Sequence, residues 1–390
     1  MMELKWEYAL PTDERCPEYD YESSISAVGQ YIYYVSTGVR CAFLHIINKE
    51  TGSGHTIPLP YQNTLLPSKH FSLIWNDRCI FYTGDLFCIQ NQEITKKLSL
   101  FEKGEVVSHL QGENRLFLTI MQNPQNASLC CIDLETLTVD WEIDISNSKN
   151  YVPRSLMLFE NNVACYGKDL LLYIDPENGT ILDTLKLPRI DKLFCPIRLD
   201  ADTILLGYTN WTNAGVLQYN LSTKQIIWRH KRKFEGPQGH CQIYKEDNRV
   251  FWVKNGTELI CLNAETGDEL YAFRTSPWLY TDLRFYQNLI VYGTAGADGY
   301  FNALNIETGK LKWSAFLKDG CAYYDIHKDS VLVGDWTKTI KQFSIADGNL
   351  LQTYSLDAEV VGRILVSDGY IYTIAWGNET KGVRLIQVKI

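Results

Sequence analysis

The sequence predicts an all-β fold: a single β-propeller of four-stranded blades running through residues 1–390. Three observations carry that prediction. A strand–polar turn–strand package recurs: ALNIETGKLKW at 303–313 returns as CLNAETGDELY at 261–271, CIDLETLTVDW at 131–141, YIDPENGTILD at 173–183 and QYNLSTKQIIW at 218–228. Weaker copies stand at 45–55, 87–97 and 342–352. Second, no twelve-residue window sustains an apolar stripe at helical spacing, while aromatics reach 13% with 24 Tyr and 10 Trp, a composition suited to pleated, half-buried surfaces. Third, the middle strands of these packages start near 43, 84, 127, 169, 214, 257, 299, 337 and 383, a step of roughly 38–46 residues that fits one propeller blade.

Two short strands lie upstream of each package. Residues 240–274 read as strand, turn at Glu246–Asn248, strand, turn at Asn255–Gly256, strand, turn at Thr266–Gly267, strand. Nine such units are counted, with eight as the alternative because 84–100 is the weakest copy. The unit at 359–390 lacks a fourth strand, and LKWEYAL at 4–10 resembles the fourth strand LKWSAFL at 311–317. Residues 4–10 are therefore expected to complete the 359–390 blade, which removes an open edge. The glycines of ETG, ENG and ADG take positive φ at little cost in a tight hairpin. Where Leu137, Lys224 or Glu93 replaces Gly, the turn must change type or carry strain.

The pattern A-x-[ND]-x-x-T-G-x-x-x-W resembles the tryptophan-docking motif of the quinoprotein-like (PQQ-like) β-propellers. Ala303, Asn305, Thr308, Gly309 and Trp313 match it fully; 131–141 and 261–271, with Gly267, match in part; Trp6 and Trp228 keep the Trp alone. The resemblance implies that Trp6, Trp141, Trp228 and Trp313 dock on the turn of a neighbouring blade. It marks a fold and says little about activity. Quinone dehydrogenases of this family also imply a vicinal disulfide that stacks on the cofactor. Cys130–Cys131 lies inside a third strand, where successive side chains point to opposite faces, so no cofactor is expected there.

The remaining chemistry is sparse. A net charge of −9 argues against binding a nucleic-acid backbone, and the one basic run, RHKRK at 229–233, falls on an outer strand. No apolar segment is long enough for a membrane helix. The first twenty residues lack the pattern of an export signal, and eleven cysteines at irregular spacing fit a reducing compartment, so a cytoplasmic monomer is expected. The seven histidines show no metal-ligand spacing, and no metal is expected; His240, Cys241 and His327 lie near inner strands. GTAGADG at 293–299 joins two strands rather than opening a helix, which argues against a phosphate cradle.

One asymmetry points to function. First-to-second and third-to-fourth turns are tight, whereas second-to-third and blade-to-blade connections are longer and carry Trp211, Phe234, Trp278, Trp336 and Trp376, with Tyr61 and Tyr151 beside them. Large aromatics on loops held by a rigid scaffold suggest an interaction surface. The expectation is a non-catalytic scaffold that binds another protein through this face, of an immunity or assembly type. The alternative is an enzyme acting on a small molecule or glycan in the central funnel.

Overall fold

The computed structural model describes residues 4–10, 25–37, 42–59, 71–123, 125–146, 155–159, 162–167, 170–187, 190, 192–210, 212–233, 242–276, 278–294, 299–335, 337–360, 362–376 and 383–390. It is a β-propeller of nine four-stranded blades, with one short 3₁₀ turn at Phe101–Lys103 among the described residues. Eight blades are antiparallel meanders of consecutive strands; in the ninth, Glu359–Val360 and Leu365–Ser367 both pair with Tyr370–Trp376. The third strands begin at residues 42, 86, 126, 170, 213, 258, 299, 339 and 383, each within two residues of the position expected from the repeat. The weakest copy is a real blade: Phe71–Trp75, Arg78–Tyr82, Leu86–Gln90 and Glu93–Leu98 pair in order. Nine, rather than eight, is therefore the count.

The ninth blade closes as anticipated. Leu4–Ala9 runs antiparallel to Val383–Lys389, with Trp6 opposite Gln387 and Tyr8 opposite Leu385. Contacts divide the chain into two compact units: residues 1–99 with 276–390, and residues 100–275. Each is described by itself below.

The turn chemistry explains how degenerate copies still fold. Gly52, Gly179, Gly267, Gly309 and Gly348 close outer hairpins with φ between +66° and +76°. Leu137 and Lys224 stand at the same position and adopt φ of 57° and 56°, so those turns keep their geometry and carry the strain. At Glu93 the turn changes instead. Asn91 and Gln92 take the positive φ values in a two-residue hairpin, and Glu93 itself starts the strand. In most of the longer turns a side-chain oxygen at the end of the third strand caps the turn: Asn305 Oδ1 accepts from the amides of Glu307 and Thr308, and Asn48 and Asn263 do the same.

In eight of the nine outer hairpins the register slips by one residue just before the position that Trp occupies in the full motif. Such a bulge adds local twist and re-aims the side chains on either side of it. It helps turn the indole onto the next blade. Trp6 lies on Gly52, Trp141 on Gly179, Trp228 on Gly267 and Trp313 on Gly348; a Cβ on any of these glycines would come within 2.4–2.7 Å of the ring. Each indole Nε1 also donates to a backbone carbonyl of that blade's turn: Lys49, Pro176, Ala264 and Ile345 respectively. The core sits between blade faces. One apolar cluster, for example, joins Phe301, Ala303, Trp313 and Leu317 of the seventh blade to Tyr324, Val331, Val333, Phe343 and Ile345 around the eighth.

Candidate functional site

The entry to the seventh blade shows how an ordinary connection becomes a surface. Along residues 278–284 exposure alternates strictly. Leu279, Thr281 and Leu283 are buried; Trp278, Tyr280, Asp282 and Arg284 face outward. This period of two is the strand pattern. The buried side is fastened at several points. Leu279 bridges Thr294, the Tyr280 amide donates to the Gly293 carbonyl at 3.0 Å, and the Gly293 amide donates to Thr281 Oγ1 at 2.8 Å. The outward side carries Trp278 at 67% exposure and Tyr280 at 54%.

The same end of the blade bears a third aromatic. Phe316 is 54% exposed and meets Tyr300 edge-on, with ring centroids 5.6 Å apart. Gly293 and Gly299 hold this end together. A Cβ on Gly299 would fall 2.2 Å from the Gly320 backbone, and one on Gly293 would strike Cys321. The glycines of GTAGADG at its two ends thus serve close backbone approach. Beyond the aromatics, Arg284 donates to Asp325 on the first strand of the eighth blade at 2.6 Å and covers the Tyr324 ring at 5.3 Å. The Tyr324 hydroxyl in turn donates to the Asp282 carbonyl at 2.8 Å.

Of the five aromatics expected to form a binding face, two fall on described residues. Trp278 is the most exposed large hydrophobic of the described chain, and Trp376, at 37%, ends the second strand of the ninth blade. Trp211, Phe234 and Trp336 lie outside the described residues, as do His240 and Cys241. Asp335, immediately before Trp336, is fully buried and accepts from the Thr337 amide, Thr339 Oγ1 and, at 2.8 Å, Lys341 Nζ. Tyr280 and Phe316 were missed. The alternation W-L-Y-T-D-L-R could have found Tyr280, because it places Tyr280 on the side of Trp278.

In the basic run 229–233 exposure alternates: Arg229, Lys231 and Lys233 face solvent, while His230 and Arg232 turn toward the next blade. Arg232 donates to both carboxylate oxygens of Glu269 on the next blade, and the His230 Nε2 lies 3.4 Å from the same carboxylate. Arg229 covers the Tyr208 ring. His230 is held below its ordinary pKa by burial, against the opposing pull of Glu269.

A family model described as outer membrane protein assembly factor BamB matches residues 212–326. The dehydrogenase subunit of the quinone-dependent alcohol dehydrogenase of Acetobacter aceti is 28% identical over 138 residues. That match covers 30% of this chain and 18% of the relative, so the chain spans under a fifth of that relative's length. A europium-containing methanol dehydrogenase superposes with a TM-score of 0.56 at 9% identity, over 100% of this chain and 93% of its own. The chain is a PQQ-like β-propeller. BamB from Moraxella catarrhalis also superposes, with a TM-score of 0.56 at 13% identity, over 84% of this chain and 99% of that one. At these identities the superpositions establish the propeller fold alone.

A quinone site does not fit the residues that this PQQ-like propeller offers for it. Cys130 and Cys131 are both buried in the strand Asn126–Asp133, opposite Leu118 and Phe117 respectively. Neighbours along a strand project to opposite faces, so the pair cannot present a stacking disulfide to one ligand. Burial pushes both thiols up to about 12, which keeps them protonated and unreactive. Among the described residues no group of three or more His, Cys, Asp or Glu side chains converges on one point.

Proposed function

We propose that this PQQ-like propeller is a non-catalytic protein-binding scaffold that grips its partner through the long-connection end of blades seven to nine. The carrying observation is the aromatic ribbon 278–284: Trp278 and Tyr280 project outward from a segment whose other side is bridged and hydrogen-bonded in place. Rigid aromatics lose little entropy on binding and bury large area, the physical basis of interface hot spots. Trp376 on the ninth blade extends the same end. We read the four indole contacts as the family's docking motif, which leaves Trp278 and Trp376 outside that structural role.

The relatives support this reading at the level of family. The matching family model describes an assembly factor, and BamB shares the fold. The seven free, buried cysteines among the described residues support a reducing, cytoplasmic setting.

The test is affinity capture from the source lysate with the wild type and a Trp278→Ala/Tyr280→Ala/Trp376→Ala variant. A protein retained in stoichiometric amount by the wild type and lost by the variant is the expected result. Identical captures by both, or none by either, would sink the reading.

A further inference from the structure

The bulge in the outer hairpins has a second consequence, at the opposite end of the blades. The extra residue it creates is unpaired and sits on the outer strand, where solvent is the default neighbour. Polar residues fill it in the second, third, seventh and ninth blades: Thr95, Asp140, Lys312 and Lys5. In blades four, five and six the same position holds Leu182, Ile227 and Leu270. These side chains are 48–53% exposed, and the residues just before the first two, Ile181 and Ile226, are 44% and 39% exposed. Three consecutive blades of one compact unit, residues 100–275, thus repeat an aliphatic residue where four other blades place a polar one; in the other unit the eighth blade also places an aliphatic residue there, Leu351, 57% exposed beside Leu350.

The described turns beside this apolar row are predominantly acidic, while Arg229, Lys231 and Lys233 stand exposed farther along the outer strand of the fifth blade. In a meander the first-to-second and third-to-fourth turns share one end, and the bulges follow the latter by one to three residues. The described turns of blades four to six hold Asp175, Glu177, Asp200, Asp202, Asp247, Glu265 and Asp268, and one amine, Lys224. That amine is already paired with Asp183 at 3.1 Å, and Glu177 is held by Arg115 of the third blade at 2.8 Å. Across all described tight turns, fifteen carboxylates face four amines, a balance of −11; the rest of a chain totalling −9 therefore sums to about +2.

From the aliphatic bulges and the carboxylates beside them we infer a second docking surface, on the outer strands of blades four to six, for a polypeptide that interleaves aliphatic side chains with Lys or Arg. Aliphatic contacts would supply the buried area, and the acidic turns would supply steering and choice of partner. The surface is separate from the aromatic ribbon, which lies on the other compact unit and at the other end of its blade.

A fluorescent (Leu-Lys)₅ peptide is the probe, read by anisotropy against (Ser-Lys)₅ at low and physiological salt. The expected result is at least tenfold tighter binding of (Leu-Lys)₅ to the wild type. A Leu182→Ser/Ile227→Ser/Leu270→Ser variant should lose that advantage while its denaturation midpoint stays put, since all three side chains are exposed. Glu265→Lys/Asp268→Lys should weaken both peptides and flatten the salt dependence. Trp278→Ala/Tyr280→Ala should change nothing, which separates this surface from the proposed scaffold face. Equal affinity for the two peptides, or an unaltered preference in the triple Ser variant, overturns the inference. So does sedimentation showing a wild-type dimer that the triple Ser variant abolishes, because the surface would then belong to a second copy of this chain.

Discussion

Two blade junctions in the same compact unit use the same device and fill it differently. Between blades seven and eight, Trp313 lies on Gly348 amid Phe301, Leu317, Phe343 and Ile345, and the packing is almost wholly apolar. Between blades nine and one, Trp6 lies on Gly52, but its neighbours include a polar chain. Tyr8 meets Thr56 Oγ1 at 3.0 Å, Thr56 meets His45 Nδ1 at 3.1 Å, and His45 Nε2 meets Ser36 Oγ at 2.7 Å. Gln387 adds bonds to the Lys49 carbonyl and the Tyr372 hydroxyl. The indole–glycine contact is thus a joint that tolerates either filling. The filling, and not the joint, decides how the junction responds to pH.

The comparison can be broken most forcefully at Trp313. Trp313→Ala removes a buried indole and its 2.8 Å bond to the Ile345 carbonyl, and should cost about 3–5 kcal/mol. Gln352, at the same register of the eighth blade, is exposed, and Gln352→Ala should stay within about 0.5 kcal/mol. Chemical denaturation midpoints of the two variants measure the difference; equal costs would show that the joint is not the Trp.

Acid should separate the junctions next. Burial lowers the pKa of His45 to about 3, from an ordinary 6.5, so the folded protein holds it neutral. Below pH 6.5 the unfolded chain binds a proton that the folded chain refuses. Stability is therefore complete above about 6.5 and falls toward pH 3 by up to about 1.4 kcal/mol per pH unit from this one group. His45→Gln should flatten the stability-versus-pH curve over that window relative to wild type. A parallel pair of curves would show that His45 does not carry the acid sensitivity.

Gly348→Ala tests the steric half of the joint. It places a Cβ 2.6 Å from the Trp313 ring at φ +73°, and should cost about 2–4 kcal/mol. Gly369, at φ +79° with no atom near its notional Cβ, isolates the backbone term, and Gly369→Ala should cost only about 1 kcal/mol. The smallest effect is expected at the strained turns. Lys224→Gly relieves φ +56° at an exposed site, where the ion pair to Asp183 is worth little, and should stabilise by about 0.5–1 kcal/mol. Leu137→Gly relieves the same strain yet should destabilise, because the leucine is buried. A matching gain at both sites would mean that the Leu137 side chain contributes nothing.

Much of the fold was legible because its signals are local. The turn glycine, the capping Asn or Asp and the strand alternation fall within eleven residues, so each copy announces a hairpin without reference to the rest of the chain. Even the second blade was countable, although Asn91–Gln92 replaces the longer turn. The candidate site was legible in part. Trp278 stood out by size, but Tyr280 and Phe316 differ from buried aromatics such as Tyr292 and Phe301 only in which face of the strand they occupy. The pairing of Arg232 was not legible in the basic run because Glu258 and Glu269 lie on the following blade.

By itself the sequence determined the repeat of four-stranded units, the start of each third strand to within two residues and the return of residues 4–10 to the last blade, while the pairing of the second blade settled nine units against eight. These follow from hydrogen-bond geometry and turn preferences encoded in short contiguous stretches. Tertiary structure alone decided where each indole lands, which bulge residues meet solvent and whether His45 can ionise. Those properties depend on groups tens to hundreds of residues apart, whose mutual burial and field exist only once the blades are packed.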